Sequence, residues 1–127
     1  MPVPERYAHI DFRPTAAMRA NARRGLRYRR RGGGGGLTTR EAGELGIGSG
    51  VQRAVQIRTG DKLTPETVRR MAAFFSRHEK NLTISPGKAP WEDRGFVAGL
   101  LWGGREGAAW ARARVRQMDA ADREAGV

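Results

Sequence analysis

Residues 32–36 are five consecutive glycines, and this run restricts the fold more firmly than any other feature of the chain. Glycine loses more backbone freedom on ordering than any other residue, so five in a row sustain neither a helix nor a packed strand. The run reads as a flexible joint that terminates whatever precedes it. It divides the 127 residues into a leading arm, 1–36, and a following helical domain, 37–127. A phosphate-cradling loop is the sharper reading of such glycines. That reading requires a following Gly-Lys-Ser/Thr, which the chain lacks.

The two parts differ in charge. Between residues 12 and 40 stand nine arginines and no acid, whereas the whole chain has a net charge of +11. The leading part therefore carries most of the excess, and the remainder is nearly balanced. Such an excess draws polyanions, either nucleic acid or an acidic protein surface. Pro14-Thr15-Ala16-Ala17 reads as a helix start, with a proline tolerated at the first turn. Met18, Ala22 and Leu26 then recur every four residues and form a thin apolar stripe able to rest on a body. Gly25 should weaken this helix by about 1 kcal/mol relative to alanine.

Arg19, Arg23, Arg24, Arg27, Arg29, Arg30 and Arg31 occupy the rest of that helix and are the candidate binding residues, with Tyr28 among them as a ring able to stack on a base. Guanidinium groups make planar, two-point contacts with phosphate or carboxylate and stay charged at any relevant pH. Seven of them in thirteen residues repel one another unless a partner neutralises them. If about six met phosphates, affinity would fall by roughly a thousandfold between low and moderate salt.

The following domain reads as helical throughout. Residues 37–45 suit a short helix capped by Thr38 or Thr39. Residues 51–59 fit helix or strand, and Gly60 as a terminating residue favours helix. Thr64-Pro65-Glu66 is a strong helix start: a capping hydroxyl, a proline at the first position and an acid at the positive end. Val68, Met71, Ala72 and Phe75, widened by Phe74, then mark a buried face, with the helix running to about Glu79. Residues 81–93 contain Pro86, Gly87 and Pro90 and read as a loop. A short apolar helix over 95–102 and a last helix over 105–121 complete the body, and the acidic tail from 119 either frays or pairs with arginine. The expected architecture is all-α, four or five short helices with a basic arm ahead of them.

Chemistry finds little footing. The chain has no cysteine, which removes disulfides, thiolate metal sites and a cysteine nucleophile. His78-Glu79 lacks the second histidine four residues on that a metalloprotease helix needs, so His78 reads as a core-edge residue. Asp61, Glu66, Glu92 and Asp93 lie at turns and helix starts, where capping explains them. Neither a metal nor another cofactor is expected, and neither is an enzymatic role. Trp91, Trp102 and Trp110 read as large rings of a small core. No apolar run approaches the roughly 20 residues that span a bilayer, and the N-terminal residues lack a secretory pattern. A soluble protein made in the cytoplasm is the expectation.

Several elements together resemble a small domain that recurs in tailed bacteriophages. They are Pro14-Thr15-Ala16-Ala17-Met18; Arg23-Arg24-Gly25-Leu26; Gly60-Asp61-Lys62-Leu63-Thr64-Pro65-Glu66-Thr67-Val68-Arg69-Arg70-Met71; Phe74-Phe75-Ser76-Arg77-His78-Glu79; and Leu101-Trp102-Gly103-Gly104 with Gly107 and Trp110-Ala111. The likeness spans most of the chain after residue 13. This chain departs from the pattern by lacking Val-Asp-Lys after Glu79 and by carrying Arg105-Glu106 where the pattern has Asp-Ala. The resemblance implies a protein of the virion or of head assembly, present in multiple copies. Its implied partners are the capsid, the portal or other virion proteins, or packaged DNA. It implies no catalytic residues. A free nucleic-acid-binding protein is the competing reading, although no helix-turn-helix register with a recognition helix is evident.

Overall fold

A computed structural model describes residues 3–31 and 50–127. The glycine run and the helix expected over 37–45 lie outside the described residues. Five α-helices are described: α1 (Ala16–Arg31), α2 (Gly50–Thr59), α3 (Pro65–Arg77), α4 (Arg94–Leu101) and α5 (Gly104–Glu124). Three short 3-10 turns accompany them at Glu5–Tyr7, Glu79–Leu82 and Pro90–Glu92, and no strand occurs among the described residues. The protein is an all-α bundle.

Helix starts follow local chemistry. Thr15 Oγ1 accepts from the Met18 N–H at 3.2 Å to open α1. Thr64 Oγ1 accepts from the Thr67 N–H at 3.1 Å, with Pro65 at the first position of α3. Asp93 Oδ1 accepts from the Phe96 N–H at 3.0 Å and opens α4. Each bond satisfies one of the amide donors that a helix start leaves bare. Gly60, with φ +80°, ends α2 as its sequence position suggests. The ambiguous segment before it is a helix, and α3 stops at Arg77, after which the chain tightens into the 3-10 turn.

α1 lies against α2 and α4, and α3 against α5. Phe74, Phe75, Met18, Ile57, Met71, Met118 and Val68 are the largest side chains wholly removed from solvent. Met18 belongs to the leading part of the chain, and so do Ala22, Tyr7, Ile10 and Phe12, all of them buried in the same apolar cluster. The described part of the leading segment therefore contributes to the core. The reason is physical: Met18 and Ala22 have nowhere else to hide their apolar surface, and burial is favourable by about 25 cal/mol per Å².

The inner edge of α1 runs through Met18, Ala22 and Gly25, while Leu26 is only partly buried. A Cβ on Gly25 would stand 3.0 Å from Leu100 Cβ and 3.0 Å from the Leu101 backbone nitrogen. The glycine read as a weakness is thus a point of close approach between α1 and α4. The segment 74–79 and the segment 101–104 also meet: the Phe74 and Trp102 rings stack with centroids 4.6 Å apart and planes 7° apart. The His78 ring lies 5.0 Å from Phe74, tilted by 37°, half-buried at the core edge as expected. Gly103 and Gly104, with φ +107° and +68°, turn the chain from α4 into α5 directly after Trp102.

Candidate functional site

The candidate site is α1, and its helical phase sorts the arginines. Residues three, four and seven apart share a face, so Arg19, Arg23, Arg27 and Arg30 form one row along the side away from Met18. Arg23, Arg27 and Arg30 are exposed, and Arg19 is half-buried, its Nε 3.4 Å from the Arg58 carbonyl oxygen to which it donates. From Arg19 to Arg30 the row covers about 16 Å of helix axis at 1.5 Å per residue. No carboxylate pairs with Arg23, Arg27 or Arg30 among the described residues.

The other sequence candidates point elsewhere. Arg24 lies on the opposite flank, half-buried, with its Nε removed from solvent and without a hydrogen-bond partner among the described residues. Tyr28 leans on Trp91, the ring centroids 6.1 Å apart and the planes at 58°. Its ring is half-buried there and is not laid open beside the arginine row. Arg29 falls near the phase of Met18 and Ala22 and is engaged within the protein. Arg31 closes the helix, and its side chain lies outside the description. The eight residues expected to act as one surface therefore divide, and four of them make a continuous row.

The tryptophans also divide. Trp102 and Trp110 are core residues, whereas Trp91 is half-buried at the margin beside Tyr28. The Arg114 guanidinium lies 5.2 Å from the centre of the Trp110 ring.

Sequence reasoning missed one cation altogether. Arg53 of α2 is only 5 % exposed, and its guanidinium lies 5.4 Å from the centre of the Trp102 ring. Its Nη1 donates to Gln56 Oε1 at 2.5 Å and stands 3.4 Å from Thr67 Oγ1, while its Nε has no partner among the described residues. Burial, and to a lesser degree the like charge of Arg70, pulls its pKa below the usual arginine value. No carboxylate compensates it among the described residues. Only the apolar neighbours Ala54 and Ile57 hinted at its orientation, since all three lie on one side of the helix.

The carboxylates named in the sequence do structural work. Asp93 is buried, accepting from the Ser85 N–H at 2.7 Å besides capping α4. Burial alone would raise its pKa, but the hydrogen bonds from Ser85 and Phe96 outweigh burial and hold it below the ordinary value. Glu92 Oε1 accepts from the Ala89 N–H at 2.7 Å. Glu66 stands in the first turn of α3. Among the described residues no three side chains of metal-binding type come together, and no helix is long and apolar enough to cross a membrane. Comparison with known protein families, with curated proteins and with solved structures finds no match to this chain.

Proposed function

We propose that this chain is a virion-associated structural or assembly protein of a tailed bacteriophage. In this reading it docks on the capsid or the head-to-tail region, and the outer row of α1 contacts packaged DNA or an acidic protein surface. The observation that carries the polyanion half of the proposal is the row itself. Three exposed arginines stand on one helix face without carboxylate partners among the described residues, on a helix whose opposite face is anchored in the core. Like charges at this spacing cost a bare helix roughly 0.2–0.5 kcal/mol per pair, a cost that a polyanion removes. The phage half rests on the motif resemblance.

Two measurements test the two halves. Purified virions, stripped and resolved on a gel, should contain the protein in many copies; virions without it overturn the structural role and favour a free nucleic-acid-binding protein. Duplex DNA binding followed over a salt series should show a steep slope. Replacing Arg23, Arg27 and Arg30 by Gln should lower that slope by about 3 and weaken binding by about tenfold per residue at low salt. A wild-type slope near zero, with the protein still in the virion, assigns the row to an acidic protein surface.

A further inference from the structure

Five arginines lie on α5, and four of them fall in one line. Arg105, Arg112, Arg116 and Arg123 follow one another at seven, four and seven residues. At 3.6 residues per turn this keeps them within about 40° of one another around the axis. Gly107, Trp110, Ala111, Met118 and Ala121 bury the opposite side of the helix. Arg105, Arg116 and Arg123 are exposed, and Arg112 is half-buried. We propose that this face of α5 is a second contact surface, one that grips the phosphate backbone of a nucleic-acid duplex without reading its sequence.

The acids of α5 leave the line uncompensated. Asp119 borders it but pairs with Arg69, and Asp122 pairs with Arg6 and Arg69. Glu106 Oε1 accepts from Asn21 Nδ2 at 2.6 Å. No carboxylate forms an ion pair with the four arginines among the described residues. The fifth arginine shows what an internal role looks like: Arg114 Nε donates to the Asp11 carbonyl oxygen at 2.6 Å. The helix dipole accounts for Arg123 in the last turn but opposes a cation at Arg105 in the first. Arg112 and Arg116, one turn apart, repel each other as like charges do at that spacing. The line therefore serves neither the helix nor the bundle.

The surroundings of the line select the partner. Ala109, Ala113 and Ala120 lie between and beside the arginines, and this face carries no ring and no large apolar side chain. Protein interfaces are anchored by aromatic and aliphatic side chains at their centre, which are missing here. Single strands are held by stacking bases on aromatic rings, also missing. A duplex backbone asks only for cations at intervals. The line runs about 27 Å along the helix at 1.5 Å per residue, past roughly eight phosphates of one DNA strand at 3.4 Å each. Small residues between the guanidinium groups let the helix lie close to that backbone.

The test is binding of the full chain to a 20-base-pair duplex over a salt series. Replacing the exposed Arg105, Arg116 and Arg123 by Gln should lower the slope by about 3 and weaken binding roughly a thousandfold at low salt. The thermal midpoint should not fall, since no packed group is removed. Lysine at the same three positions should restore the slope, and duplexes of unrelated sequence should bind alike. DNA and RNA duplexes of one sequence, compared side by side, identify which duplex supplies the phosphates. A glutamine variant that keeps the full slope, or a lysine variant that loses it, overturns the proposal. A glutamine variant that keeps the slope yet drops out of purified virions assigns the face to an acidic protein instead. The proposal stands apart from the row on α1: loss of slope in the α1 variant alone defeats this surface, and loss in the α5 variant alone defeats the other.

Discussion

Arginine does opposite work at the two ends of this molecule. At the far end of α5, Arg6 Nε lies 2.7 Å from Asp122 Oδ1, and Arg69 reaches Asp119 at 3.1 Å and Asp122 at 3.5 Å. Tyr7 completes the corner by donating its hydroxyl to Asp122 Oδ1 at 2.7 Å. There the cations close the fold, tying the first residues of the chain to the last helix. Along the outer row of α1, at Arg23, Arg27 and Arg30, the same side chain finds no acid among the described residues and meets solvent. Charge spent on an internal partner is structural, whereas charge left without one is available to something outside.

That contrast gives its own tests. The largest effect is expected on the outer row, where the triple glutamine variant should lose about a thousandfold in polyanion affinity at low salt. Its thermal stability should stay the same or rise slightly, because exposed like charges are being removed. A large drop in stability would show the row to be structural and dissolve the contrast. Next comes the inner side of the same helix. Gly25→Val, which forces a branched side chain against Leu100 and the Leu101 backbone, should cost about 2–3 kcal/mol in a denaturant titration. An unchanged midpoint would mean that α1 packs less closely than its contacts imply.

The smallest effect belongs to the carboxylate corner. Hydrogen bonds from Arg6 and Tyr7 hold the Asp122 carboxyl below its ordinary pKa. A carboxyl lowered on folding contributes stability above the pKa it has in the unfolded chain, and that contribution fades as pH falls toward the folded value. Acidification below about pH 4 should therefore loosen the N-terminal segment first. Asp122→Asn should reproduce this at neutral pH as faster hydrogen exchange at the Tyr7 and Ile10 amides, with polyanion binding unaffected. Equal exchange in both proteins would remove the tether.

Much of the fold was legible because its signals are local. The Thr64-Pro65 start, the apolar period through Met71 and Phe75, and the glycines after Trp102 each act within a few residues. The stripe through Met18 and Ala22 was equally plain, and its burial follows from the same period. What was not legible depends on neighbours distant in the chain. Helical phase shows that Arg24 and Arg27 diverge, but not that the Arg24 Nε is removed from solvent. Gly25 looked like a flaw because its opposite helix begins about seventy residues later. Arg53 was overlooked for a related reason. A polar side chain is normally read as surface, and only the assembled packing shows one enclosed.

The contact between Tyr28 and Trp91 has a practical consequence. Two of the three indoles are enclosed and will report unfolding, while the third rests at the margin against a residue of α1 itself. Occupation of that helix by a partner should alter emission from one tryptophan while leaving the other two as an internal reference. The protein thereby carries its own optical probe of engagement, readable without a label.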